Sequence, residues 1–233
     1  MKYRFIAADP PWQHNSRQAT RKENPDQKTR LGMGAAGHYR TMPTSEICAL
    51  GPYVQAVAAR DTYLGMWVLE SMPEAVEPVL DAWGFEQVGT LFAWIKTNKH
   101  DGKPKFGVGK YSAGNLERMI LARRNRRKTR CWHSTAKGCW KPSQVILAPL
   151  GEHSEKPEEA QDRIDRWLDP FLDGHGKLEL FARRHRPGWV CLGDEITQPE
   201  IVDDLWELAN GLEAPYLERS GILLPTGSHS WAC

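Results

Sequence analysis

Four consecutive residues, Asp9-Pro10-Pro11-Trp12, bring a carboxylate, two backbone-stiffening prolines and an indole together directly after the apolar run Phe5-Ile6-Ala7-Ala8. Pro10 lacks an N–H and biases Asp9 toward an extended conformation, so a strand reaching Ala8 runs cleanly to its end. The Asp9 carboxylate, the Pro10 carbonyl and the Trp12 indole are then expected at the C-terminal edge of a sheet. In open α/β sheets that edge is where ligands bind. The set suits a flat heterocycle with an exocyclic amine. The carboxylate and the carbonyl can each accept one amine hydrogen, while the indole offers a stacking face. Two acceptors on its hydrogens favour a pyramidal nitrogen whose lone pair points at an electrophile, which is catalysis by positioning and electrostatics. The plainer reading, a rigid strand terminator, stands beside it, because turn residues often follow buried strands.

The elements that must hold this motif follow from hydrophobic spacing. Strands are expected at "YRFIAA", "TYLGMWV", "TLFAWIK", "LERMILARR", "SQVILAP", "KLELFARR" and "GWVCLGDEI". Helices are expected at "TSEICALGPYVQAVA", capped by Thr44 or Ser45, and at "PEAVEPVLDAWGF", ending at Gly84. Two more follow at "SEKPEEAQDRIDRWLDPFL" and "PEIVDDLWELANGL", the latter with Ile201, Leu205, Leu208 and Leu212 on one side. Strands alternating with helices indicate a mostly parallel sheet covered on both faces, an α/β fold. Residues 13–38 have almost no apolar periodicity and read as a long functional loop. No repeat or low-complexity linker divides the chain. A main domain over residues 1–198 is expected, with a C-terminal helix and tail (199–233) packed on it.

Composition excludes more than it proposes. A chain of 233 residues can bury one good core, and 40% apolar with 26% charged residues is ordinary for a globular protein. The net charge of +2 implies no partner by itself. No apolar run reaches membrane-spanning length, and the N-terminus lacks the features of a secretory signal. Five cysteines, odd in number and scattered, favour free thiols in a reducing compartment, so a cytoplasmic protein is expected. Gly32, Gly34 and Gly37 match G-x-G-x-x-G by letter, yet "NPDQKTRL" before them is no buried strand. Cys131, His133 and Cys139 match no common zinc spacing, and no metal is expected.

Several motifs in fixed order carry a further reading. "DPPW", "HYRTM", "LGMWV", "AWGFEQVGTLFAWIKTN", "HSEKP" and "LFARRHRPGWVCLGDE" together resemble the DPPW-type adenine N6-methyltransferases of the MT-A family, from residue 3 to about 196. The resemblance implies a Rossmann-like fold, S-adenosylmethionine as methyl donor, and a permuted order with the catalytic strand first and the cofactor strands last. It implies that Asp9 and Pro10, with Pro11 and Trp12 completing the motif, bind the adenine amine. Tyr39 would help hold the base. Lys156 would reach the methionine carboxylate, and Arg183 and His185 would line the cofactor, joined by Asp194 and Glu195. Where the eukaryotic member has His-Asn this chain has His185-Arg186, and where it has Gly-Asn-Gln this chain has Gly193-Asp194-Glu195.

The substrate side is expected to use Lys96, Glu117, Arg124 and Arg127 besides Tyr39. Residues 123–141 form the most basic stretch and interleave Trp132, His133 and Trp140 with cations, a pattern suited to phosphates and unpaired bases. The cation-bearing loops 13–38 and 97–115 would flank the same edge. The expected activity is methylation of the adenine N6 amine in a polynucleotide, DNA favoured over RNA, by an enzyme that acts alone, as a homo-oligomer or with a partner subunit. The rival readings are a non-catalytic nucleic-acid-binding subunit, a methyltransferase for a protein amide (which would carry Asn in place of Asp9), and, last, a nicotinamide oxidoreductase.

Overall fold

The computed structural model describes residues 2–13, 41–107, 114–125, 140–151, 155–172, 175–193 and 201–211. Its strands are β1 (Tyr3–Ala8), β2 (Ala58–Val68), β3 (Phe85–Thr97), β4 (Leu116–Arg124), β5 (Val145–Pro149), β6 (Gly176–Leu180) and β7 (Trp189–Leu192). They form one sheet in the order β5-β3-β4-β2-β1-β6-β7. Every neighbouring pair is parallel except those made by β4, which runs antiparallel to both β2 and β3. The sheet is therefore mostly parallel, as strand–helix alternation predicts. β1 lies near its middle, which explains why its sequence is a nearly continuous apolar run: both of its faces are covered.

Helices α1 (Thr44–Ala49), α2 (Gly51–Val57), α3 (Val76–Trp83), α4 (Glu158–Leu168) and α5 (Ile201–Asn210) complete the architecture. Side-chain alternation sorts the core into two layers. On one face Ile6, Ala8, Leu64, Met66, Ile120 and Leu178 pack with Ile47 of α1, Val54 of α2, Val79 and Trp83 of α3, and Ile201, Leu205 and Ala209 of α5. On the other, Phe5, Ala7, Tyr63, Trp67, Trp94 and Met119 pack with Ala160, Ile164, Trp167 and Leu168 of α4. Leu212 lies outside the described residues, whereas Leu208 is half-buried against the first layer.

Element boundaries differ from expectation for local reasons. Thr44 is the first helical residue and Pro43 takes the cap position, its carbonyl accepting from the Glu46 and Ile47 amides at 3.0 and 3.2 Å. The expected single helix breaks at Leu50, where Gly51-Pro52 starts α2. β2 begins at Ala58 with no loop after α2, and β3 at Phe85, directly after Gly84 in the left-handed conformation (φ 77°) closes α3. β6 stops at Leu180, short of the expected "FARR", because Phe181 turns the backbone to φ 62°. A non-glycine residue there is strained, and such strain collects at functional sites.

Past that turn, the Ala182 N–H donates to the Leu192 carbonyl at 2.9 Å. This brings Gly193 so close that a Cβ on it would sit 2.2 Å from the Ala182 oxygen. The glycine is thus what lets the chain leave β7 alongside the turn after β6. Gly193→Ala is expected to cost about 1–3 kcal/mol and to lower the thermal midpoint by several degrees, measured by scanning calorimetry. An unchanged midpoint would mean the two segments part without penalty.

Candidate active site

Asp9 follows β1 at the C-terminal edge of the sheet, with its amide donating to the Leu180 carbonyl at 3.4 Å. Its Oδ2 accepts from Lys156 Nζ at 2.7 Å. The same ammonium lies 3.4 Å from Glu117 Oε2, and Glu117 Oε1 accepts from Lys96 Nζ at 2.5 Å. Two carboxylates and two ammonium groups alternate in one row. The row rests on indoles: Lys156 lies over Trp67 and Lys96 over Trp94, at 5.7 and 5.3 Å, and the two rings meet edge-on at 6.4 Å.

Strand geometry explains the row. Because β4 is antiparallel, its first residues lie at the edge where β1, β2 and β3 end, and Glu117 pairs with Trp94. Trp67, Met119, Glu117, Trp94 and Lys96 follow the two-residue alternation onto the α4 face. Lys156 stands just before α4, held extended by Pro157. Burial disfavours its charge, but Asp9 and Glu117 outweigh that and raise its pKa, against a smaller opposing effect of Arg183. Burial likewise opposes ionisation of Glu117, and Lys156 and Lys96 reverse this to hold its carboxyl below the usual range. Lys156 and Glu117 are therefore both charged at neutral pH.

Beside Asp9 a cleft opens between the ends of β1 and β6 and the start of α4, lined by Asp9, Trp67, Lys156, Gln161, Glu179 and Arg183 among others. Glu179, on β6, accepts from Gln161 Nε2 at 3.1 Å. Burial pushes the Glu179 carboxyl up; Asp9 adds to that, while the Gln161 bond and the arginines at 186 and 184 resist it. Gln161 is itself buried, and among the described residues its Oε1 has no donor. The cleft thus offers cations at Lys156 and Arg183 and waiting acceptors at Glu179 and Gln161. That donor set fits a ligand carrying both a carboxylate and an ammonium or hydroxyl groups.

The structure brings Asp9, Lys156, Lys96, Glu117 and Arg183 together and sends other expected site residues elsewhere. Pro10 is buried, and its carbonyl accepts the Trp12 amide at 2.8 Å, one of the two hydrogen bonds that oxygen can take. Pro11 is half-buried, and its carbonyl accepts from Met42 at 2.7 Å. Trp12 is only 5% exposed and its Nε1 donates to the Trp67 carbonyl at 3.2 Å. It ties the exit of β1 to β2 and presents no open stacking face, which corrects the expectation for it.

Arg124 is also corrected. β4 carries it to the opposite edge of the sheet, where it pairs across from Phe85 and donates to the Gln55 and Ala58 carbonyls at 2.9 Å, closing α2. His185 is exposed and does not line the cleft, while Arg186 beside it ion-pairs with Asp162 on α4. Of the basic stretch, Arg123 is buried over the Tyr63 ring and Trp140 packs under Arg166 at 4.5 Å. Tyr39, Arg127, Asp194, Glu195, Gly32, Cys131, His133 and Cys139 lie outside the described residues.

Sequence reasoning missed Glu179, Gln161 and Phe181 as site residues. Glu179 had a signal, since it is an acid between the buried leucines Leu178 and Leu180 of a strand. Gln161 had none among the polar residues of α4. Trp12→Ala is expected to cost about 3–5 kcal/mol of stability, seen as a large fall in thermal midpoint; a stable variant would mean the indole is no anchor. The Glu179 sign follows from its raised pKa: the folded state holds the proton more tightly, so stability is lost as pH rises past the unfolded value near 4.5. Glu179→Gln is therefore expected to melt above wild type at pH 7, with the gap closing toward pH 4. A gap independent of pH would refute the buried charge as its cause.

Comparison with known proteins places this geometry. The MT-A70 family model matches residues 3–195. The Type II methyltransferase M.MunI of a Mycoplasma species is 29% identical over 86% of this chain and 80% of its own length. The N(6)-adenosine-methyltransferase MT-A70-like protein of Drosophila melanogaster is 29% identical over 87% of this chain but only 28% of its own length. The N6-methyladenosine RNA methyltransferase MTA1 of Cryphonectria parasitica is 28% identical over 84% of this chain and 53% of its own length. The matched span runs from the first residue of β1 through β7 and includes each element that builds the charged row and the cleft beside it. With that span matched, the chain belongs to the MT-A70 family of methyltransferases and has its α/β Rossmann-like fold.

Proposed function

We propose that the protein transfers a methyl group from S-adenosylmethionine to the N6 amine of adenine in a polynucleotide. The observation that carries this reading is Asp9 at the sheet edge, ion-paired to Lys156 and opening onto a cleft with matched cations and acceptors. When bound, the cofactor supplies an electrophilic methyl group on a sulfonium sulfur. Lys156 and Arg183 would hold its carboxylate, and Glu179 and Gln161 would accept from its ammonium or hydroxyl groups. Asp194 and Glu195 remain proposed cofactor contacts, and Tyr39 and Arg127 proposed substrate contacts.

Asp9 has the central part. Lys156 occupies Oδ2, and among the described residues Oδ1 has no hydrogen-bond partner. Oδ1 would accept one hydrogen of the adenine amine, and the second lone pair of the Pro10 carbonyl the other. Both acceptors aim the nitrogen lone pair away from themselves and at the methyl carbon. Transfer would form the C–N bond as the methyl carbon's bond to the sulfonium sulfur breaks, leaving a neutral thioether. The proton lost by the amine would go to Asp9, which is positioned to take it. Lys156, with Glu117 behind it, holds the Asp9 carboxylate in place for this.

DNA is the favoured polynucleotide. Among the relatives, M.MunI is named a Type II methyltransferase, while the other two are named for N6-adenosine or RNA methylation. The test is methyl transfer from labelled S-adenosylmethionine to single- and double-stranded DNA and to RNA, followed by nucleoside separation. N6-methyladenine is the expected product. Asp9→Ala is expected to lower turnover by roughly a hundred- to a thousandfold or more with cofactor affinity nearly kept. If wild-type protein binds cofactor yet labels no polynucleotide, the non-catalytic subunit reading replaces this one.

A further inference from the structure

The turn after β3 carries a feature that the reaction does not use. Residues 97–107 leave the sheet at the same edge as Asp9 and return beside β3. The turn is held by its own backbone. The Asn98 amide donates to the Lys103 carbonyl at 2.9 Å, Gly102 to Asn98 at 3.1 Å, and Lys105 to Lys96 at 2.7 Å. Thr97 bridges Pro104, and Gly102 takes the left-handed conformation (φ 66°) that such a reversal needs. Its one acid, Asp101, accepts from the Lys103 amide at 3.1 Å.

What the turn displays is cationic and aromatic. Lys99, His100, Lys103 and Lys105 are all exposed, three lysines against one aspartate. Phe106 follows at 85% exposure, the most exposed large apolar side chain among the described residues. A shallow cleft lies between Lys99, His100 and Lys105 on the turn and Leu150 after β5. β3 is three strands from β1, so the base of the turn stands roughly 14 Å from Asp9 at the usual strand spacing. Lys96, at that base, is the outer member of the charged row.

Among the described residues, the other cations near this edge are engaged. Arg184 pairs with Glu158 at 2.7 Å and Glu155 at 3.3 Å, and the described arginines of the basic stretch lie inside the fold or at the opposite edge. We infer that the turn at residues 97–107 is a docking finger for the nucleic-acid strand, with Lys99, Lys103 and Lys105 on phosphates and Phe106 stacked on a base a few nucleotides from the target adenine. Exposed lysines complement phosphate charge, and an aromatic face stacks on any base without reading its identity. Because the turn is ordered in advance, little ordering cost opposes binding. A distance of 14 Å corresponds to a contact a few nucleotides from the methylated position, so the finger sets grip and register and leaves the chemistry to Asp9.

This inference rests on the polynucleotide reading above, and its test separates the two. Affinity for labelled single-stranded and duplex DNA and for RNA is measured with wild type, Phe106→Ala, Phe106→Trp and the Lys103→Glu/Lys105→Glu double variant. Cofactor binding and sedimentation are followed for each. Phe106→Ala is expected to weaken nucleic-acid binding about five- to a hundredfold, with Phe106→Trp restoring it and cofactor binding unchanged. The double variant is expected to flatten the dependence of log affinity on log salt by about one to two units. Wild-type affinity in Phe106→Ala, or an unchanged salt slope in the double variant, overturns the finger while leaving the polynucleotide reading intact. A wild type that binds and methylates no nucleic acid removes both. A change in sedimentation with unchanged nucleic-acid affinity makes the turn a protein contact and also overturns the inference.

Discussion

One buried ammonium organises the site. Lys156 is shared between Asp9 at the end of β1 and Glu117 at the start of β4, with Trp67 beneath it. A charge so enclosed is tolerable only while its partners remain, because removing one leaves another uncompensated in a poorly solvated place. The ion pair therefore binds together three stretches of chain that no backbone hydrogen bond connects: the exit of β1, the entry of β4 and the lead into α4. It also fixes the position of the Asp9 carboxylate at the sheet edge.

For that ammonium to have two partners, one strand has to run backwards. If β4 were parallel like its neighbours, its first residues would lie at the far edge, and Arg123 and Arg124 would crowd the site instead. The reversal delivers Glu117 to the right edge and puts the two arginines to structural use, Arg124 on the carbonyls that end α2 and Arg123 against Tyr63. Supply of the acid and removal of surplus cations from the site follow from the same topological choice.

This is also where sequence reasoning met its limit. Strands and helices were readable because apolar residues repeat at two or at about three and a half positions, and "LERMILARR" coincides with β4 residue for residue. A period says nothing about direction, however. Whether a strand lies parallel or antiparallel is decided by its partners, so Arg124 was placed at the wrong edge. Asp9, Lys156, Arg183 and Lys96 stand in ordered motifs, whereas Glu117 lies in the strand "LERMILARR", outside any of them. Trp12 was flagged too, but its burial depends on the Trp67 carbonyl, 55 residues away. The left-handed Phe181 is equally silent in sequence, since nothing in the letters "LFAR" marks a turn that most side chains avoid.

The two faces of the sheet divide the labour. The face under α1, α2, α3 and α5 is an apolar layer suited to holding the fold. The α4 face has an apolar interior too, but its margin is charged. Lys177 pairs with Asp165 at 2.6 Å and with Asp169, the Trp189 indole donates to Asp165 at 2.8 Å, and the row from Asp9 to Lys96 continues the pattern at the edge where β1 ends. Buried polar groups of this kind add little net stability compared with apolar packing, and they are demanding about geometry. An apolar layer on both faces would make a firmer sheet with nothing at its edge to hold a zwitterionic ligand. The protein keeps one face for cohesion and accepts a costlier one where Asp9, Lys156, Glu117 and Lys96 meet at the sheet edge.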